Sequence, residues 1–345
     1  MSIDIQARKR EIHVEIWFGE TETDYMPSNI RRIALLVFIL VSFSLMAFGW
    51  GDEGHMAVNR AAAQRIPASM PAFFRGATER LAYFGPEPDR WRHREEFSVK
   101  NAQEPDHFID LERTEGIGEL PVGRYNFIQK MYAKRALEAA AGNTRADDFL
   151  PEKVGLQPYI TLEIYDRLKI AFREYRKLQA AGKSTEAVEQ SAVFYAGWLG
   201  HYVADAANPT HTTVHYNGWT GPNPNGYTTS KETHWNFESK FVIANLAQLD
   251  FAKDVKAPQV VADPFRDYIK YIWASNGLVE KFYQMEKIGA FKEKGTPEGV
   301  AFVNARLTAG AQMLVDLWYT AWVDSEKPVE DPFAPPKPKQ PAAGN

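Results

Sequence analysis

Apolar residues recur at three- and four-residue spacing along most of the chain, the stripe that an amphipathic helix turns toward a core. The spacing predicts long helices over residues 125–141, 160–181, 186–206, 231–248, 265–288 and 297–323, and shorter ones over 51–65 and 71–81. Alternating runs of β-branched and aromatic residues bounded by turns are sparse. The expected fold is therefore all-α, a single-domain multi-helix bundle. Two stretches break the periodicity. Residues 217–230, rich in Gly, Pro, Asn and Thr, read as a loop, and residues 326–345 read as a disordered, Pro-rich tail. One helical domain is expected over residues 50–325.

Residues 1–49 read differently. Asn29-Ile30-Arg31-Arg32 precedes an apolar run over residues 33–48 that closes on Ala47-Phe48-Gly49. A basic start, an apolar middle and small residues before the cut are the pattern of a signal peptide, with cleavage expected between Gly49 and Trp50. A membrane anchor is the competing reading, but a spanning helix needs about 20 apolar residues. This run is shorter and contains Ser42 and Ser44. Met26 would begin a signal peptide of ordinary length, so it is the expected start, and the mature protein is expected to be exported, secreted or periplasmic.

The charge balance narrows the partners. With 40 basic and 44 acidic side chains the formal net charge is −4, which lacks the basic footprint of a module that grips duplex DNA by its phosphates. A nuclease remains compatible, because bound metal can supply positive charge at the scissile phosphate. The chain has no cysteine, so an exported protein of this sequence relies on its core, and on metal where it binds one, rather than on disulfides.

The chemistry-bearing residues lie in an ordered series. His201 and Asp205 are four apart near the end of the helix predicted over 186–206, a spacing that puts both on one face within reach of one cation. Pro209 then turns the chain so that His211 can return. Beyond the loop, His234 and Glu238 repeat the spacing. Upstream, His107 lies among carboxylates, and Asp89 sits in the Pro-rich turn Pro86-Glu87-Pro88-Asp89. Each alone reads as well as a helix cap or a hydrogen-bonded core residue. Mixed imidazole and carboxylate donors suit zinc better than magnesium or calcium.

Trp50-Gly51-Asp52-Glu53-Gly54-His55, placed at a new N-terminus by the expected cleavage, completes the series. Trp followed by His, then Asp, His, His-x3-Asp, His and His-x3-Glu resembles the trinuclear zinc signature of the phospholipase C/P1 nuclease superfamily. The resemblance implies three Zn2+ ions: one on Asp89, His107, His201 and Asp205; a close neighbour on the Trp50 amino group and carbonyl, His55 and a bridging Asp205; and a third on His211, His234 and Glu238. It implies a phosphoric ester hydrolase in which zinc lowers the pKa of bound water to furnish a hydroxide. Arg92 is the expected source of transition-state charge and Asp89 a candidate general base, although a carboxylate engaged with zinc is a poor one.

The wording of the motifs divides over substrate. Glu238 and Asn208-Pro209-Thr210-His211 look like the phospholipase C branch, whereas the short step from Trp50 to His55 and Asp89-x2-Arg92 look like the P1/S1 branch of single-strand nucleases and 3'-nucleotidases. Phe108 and Asp110 match positions that contact a base in the nucleases, and a similar segment occurs in phospholipases. The phospholipase-like reading is preferred, with single-stranded nucleic acid or nucleotide as the alternative substrate and transient contact with a membrane surface if lipid is cleaved. A non-catalytic, zinc-stabilised helical binding protein is the third reading.

Overall fold

The structure is a computed structural model that describes residues 50–329 other than residue 293. The expected signal peptide and most of the expected tail lie outside the described residues. The first tail residues are inside them, and Glu326 pairs with Arg176 at 2.8 Å.

The described residues are mostly helical and contain no strand. The longer helices are α1 (Gly51–Ala63), α2 (Arg124–Ala140), α3 (Gln157–Ala180), α4 (Glu186–Ala207), α5 (Pro264–Asn276), α6 (Val279–Lys287) and α7 (Pro297–Asp324). Their starts follow from local chemistry. α3, α5 and α7 carry Pro in the first turn, where no N–H is needed. The Asp263 side chain accepts from Arg266 N and the Thr296 side chain from Gly299 N, satisfying donors that would otherwise lack partners.

α4 is the axis of the bundle. It packs along α3 and α7, and α7 in turn packs on α1. From Ala192 onward α4 is buried on nearly all sides, which its small residues allow. A Cβ at Gly310 of α7 would lie 3.5 Å from Ala207 Cβ and 3.6 Å from both the Ala204 Cα and a Val58 methyl, so three helices meet there at backbone distance. Trp318 locks the contact, its indole N–H donating to Ala196 O at 3.1 Å. Burying such a large side chain contributes roughly 1.5–3 kcal/mol.

Three predicted helices are divided. The one expected over 265–288 is two helices, α5 and α6, because Gly277 ends α5 and Leu278 N turns back to Ser275 O. The one over 71–81 becomes Ala72–Arg75 and Thr78–Tyr83, separated at Gly76. Residues 231–248 keep a helical course but change hydrogen-bond pattern, from Thr233–Trp235 through a π-helical turn at Asn236–Phe241 to Val242–Asn245 and a 3-10 turn at Leu246–Gln248. Asp89, expected in a turn, lies in the four-residue helix Glu87–Arg90.

Candidate metal centre

The end of α4 builds the centre. His201 and Asp205 stack one turn apart, with 3.3 Å between Nε2 and Oδ2. After Ala207 the backbone opens at Asn208, whose side chain accepts from Thr210 N at 3.0 Å and caps the 3-10 turn Pro209–His211. That turn brings His211 back, its Nδ1 3.7 Å from Asp205 Oδ2. α1 supplies His55, whose ring stacks on His201 at 4.0 Å between centroids and whose Nε2 is 3.4 Å from Asp205 Oδ1. Asp89 Oδ1 lies 4.0 Å from His201 Nε2 and 3.9 Å from His107 Nδ1. His107, at the end of the 3-10 turn Glu104–His107, has Nδ1 3.4 Å from Asp205 Oδ2.

Asp205 therefore presents its oxygens in two directions, Oδ1 toward His55 and Oδ2 toward His107, His201 and His211. A second focus lies on Glu238, whose Oε2 is 2.7 Å from His234 Nε2, 3.1 Å from His211 Nε2 and 3.3 Å from the Asn208 amide nitrogen. The π-helical turn holds Glu238 fully buried while keeping it against His234. Three groups bring ligand atoms within 4.8 Å of one another: His55, Asp89, His201; His107, His201, Asp205; and His211, His234, Glu238.

Three of the histidines have their outer ring nitrogen occupied. His201 Nδ1 donates to Gly85 O at 3.0 Å, His211 Nδ1 to His107 O at 2.8 Å, and His107 Nε2 to Gln103 Oε1 at 3.3 Å. These acceptors fix a proton on each outer nitrogen, so the inward nitrogen is the one that can hold metal once it is unprotonated, the arrangement typical of histidines that hold metal.

Burial and neighbouring charge set the titration of the centre. Burial pushes Asp89 up to about 6 and His107 down to about 3, and it drives His55 well below its usual range. At His211 burial is outweighed by Asp205 and Glu238, which raise it to about 9; His201 is raised likewise by Asp205 and Asp89. Burial raises Asp205, but His211 and His201 outweigh it and hold its carboxyl well below the usual carboxylate value.

These side chains fit cations. Asp89 Oδ2, both Asp205 oxygens, Glu238 Oε1 and His55 Nε2 are buried with no hydrogen-bond partner among the described residues. So many unpaired buried acceptors in one place would be costly for a centre without positive charge. Nitrogen and carboxylate donors together are the set that zinc favours.

The remaining predicted residues flank the centre. Trp50 is fully buried and donates its indole N–H to Ala204 O at 2.7 Å, next to Asp205. Arg92 is partly exposed, with Nη1 3.4 Å from Asp89 Oδ1. Phe108 is half-buried in extended backbone directly after His107. Asp110 is buried, pairs with Arg113 at 3.3 Å and is pushed by burial up to about 7. Of the histidines outside the predicted set, His215 stacks on Trp219 at 4.0 Å and His93 is exposed. Gln103, Gly85 and Asn208 escaped sequence reading as supports of the centre, since none is titratable; Gln103 lies four residues before His107, but its contact runs across the junction of two short helical elements.

Comparison of the chain with family models, with curated proteins and with solved structures yields no match.

Proposed function

We propose that the protein is a zinc-dependent phosphoric ester hydrolase of the phospholipase C type, with an ordered series of ligands resembling that of the phospholipase C/P1 nuclease superfamily. The observation that carries this reading is the division of the Asp205 carboxylate between His55 on one side and His107 and His201 on the other. A carboxylate so disposed suits two adjacent cations, an arrangement common to enzymes that displace oxygen at phosphorus.

Asp89, His107, His201 and Asp205 would hold one ion, His55 with Asp205 and the N-terminal Trp50 the second, and His211, His234 and Glu238 the third. When bound, zinc supplies Lewis acidity toward a phosphoryl oxygen and water acidified to near neutrality. The third group offers three protein donors, and His234 is its most exposed member at 14%. Structural zinc is usually closed by four protein ligands, so this composition favours catalysis over a purely structural role. Arg92 reaches Asp89 from a partly exposed position and adds positive charge beside the substrate's oxygens. The α-amino group of Trp50 becomes available to an ion only after cleavage between Gly49 and Trp50, so export would complete the centre.

What supports phospholipid as the substrate is the resemblance of Asn208-Pro209-Thr210-His211 and Glu238 to the phospholipase branch. The Asp89-x2-Arg92 wording resembles that of the second reading, a single-strand nuclease. Among the described residues no helix is long and apolar enough to cross a membrane, so lipid would be met at a surface. The test is hydrolysis by the zinc-loaded chain beginning at Trp50, on phosphatidylcholine vesicles and single-stranded RNA in parallel, with His211→Ala as blank. Release of diacylglycerol is expected. Nucleotide release would replace the substrate, and no chelator-sensitive activity on either would overturn the reading for both.

A further inference from the structure

We infer that Gln103, a residue outside every motif of the sequence, is a positioning residue that selects the metal-binding tautomer of His107. The inference rests on the proposed metal centre and adds a determinant to it.

Gln103 is buried at 7% exposure at the end of the short helix Phe97–Gln103. Its amide nitrogen donates to Pro88 O at 2.9 Å. A carbonyl can only accept, so the amide NH2 must face Pro88 and Oε1 must face the other way. Oε1 looks onto His107 Nε2 at 3.3 Å and the Tyr202 hydroxyl at 3.5 Å. An acceptor opposite Nε2 requires the proton on Nε2, which leaves the lone pair on Nδ1. Nδ1 is the nitrogen 3.4 Å from Asp205 and 3.0 Å from His201 Nε2.

The need for such a device follows from the local backbone. His201 and Asp205 are fixed by α4, whereas His107 ends a four-residue 3-10 turn and Asp89 lies in a four-residue helix. Neither short element fixes a side chain by itself. Gln103 joins them, holding the residue before Asp89 through Pro88 and the ring of His107 through Nε2.

The experiment is a double-mutant cycle on zinc affinity, measured by competition with a chromophoric chelator, using Gln103→Met, His107→Ala and the pair. Removing a side chain that orients a metal-binding histidine typically weakens binding by about 10–100-fold. That loss is expected for Gln103→Met in the otherwise unaltered chain, shrinking to about 3-fold or less in the His107→Ala background. Equal loss in both backgrounds, or no loss in a chain that takes up three zinc ions, would overturn the inference and leave the centre standing. Failure of the unaltered chain to take up zinc would instead remove the centre and the inference together. A measurement free of variants is the ring nitrogen NMR of His107 in the metal-free protein. Protonation at Nε2 is expected, and a proton on Nδ1 with Nε2 bare contradicts the assignment.

Discussion

His107 Nδ1 and His201 Nε2 face each other across 3.0 Å, although the two rings belong to segments far apart in the chain. The opposite nitrogen of each is engaged with an oxygen, Gln103 Oε1 for His107 and Gly85 O for His201. Two lone pairs directed at one another repel unless a proton or a cation lies between them. The metal-free chain supplies a proton, and His201 is the natural holder, being raised by Asp205 and Asp89 against the effect of burial.

Metal uptake should therefore expel protons. His211 is raised to about 9, so it is cationic in the metal-free protein at pH 7, and Asp205 and Asp89 raise His201 in the same direction. A metal needs them neutral. Calorimetric titration with zinc at pH 7 in buffers of different ionisation enthalpy should show net proton release, and affinity should rise between pH 6 and 9. Uptake without proton release would contradict the geometry. The same shift has a consequence for folding. A pKa raised from 6.5 to about 9 stabilises the metal-free fold fully below pH 6.5, and the contribution is lost as pH rises through 9.

Asp110 predicts a pH dependence of the same sign in a lower window. Burial raises its carboxyl from 3.8 to about 7, so the folded protein retains a proton that the unfolded chain gives up above pH 4. The ionised form costs stability, and the cost grows as pH climbs from 4 to 7. Asp110→Asn lacks this cost. In urea denaturation of the metal-free proteins, the variant's stability relative to the unaltered chain should increase from pH 4 to pH 8. A constant difference would mean that Arg113, 3.3 Å away, fully compensates the buried charge.

Gly155 tests how the segment after His107 is held. Its φ is +96°, and a Cβ there would lie 2.0 Å from Phe108 O, a backbone atom that accepts from Gln157 N. Gly155→Ala combines unfavourable backbone with a clash that a side-chain rotation cannot relieve. A loss of roughly 2–4 kcal/mol is expected in thermal or urea unfolding, together with weaker zinc binding because His107 precedes the displaced residue. Unchanged stability would show that the loop shifts freely.

The pattern of the chain carried the helices well where a single helix ran without a break. The helix predicted over 186–206 runs to Ala207, and that over 297–323 runs to Asp324. It failed where apolar spacing continued across a break. Phe265 through Ile288 keeps its stripe, and only the Gly277-Leu278 junction separates the two helices. The π-helical turn at Asn236–Phe241 has no signature in periodicity either, because one inserted residue per turn leaves His234 and Glu238 on a common side.

For the centre, spacing exposed the pairs His201 with Asp205 and His234 with Glu238, since a helix converts four-residue intervals into contact. Convergence of Asp89, His107 and His55 on them came from the ordered resemblance, not from spacing, as these residues sit on separate short or distant elements. Gln103 was illegible because its role depends on a carbonyl, Pro88 O, and on a ring nitrogen whose direction only tertiary structure defines.

The most direct measurement is zinc stoichiometry of the purified chain beginning at Trp50, compared with Asp205→Asn and Glu238→Gln. The account predicts three zinc ions per chain, loss of two together when Asp205 no longer bridges, and loss of one when Glu238 is altered. A chain that binds one ion or none, or an Asp205 variant that keeps all three, would contradict it.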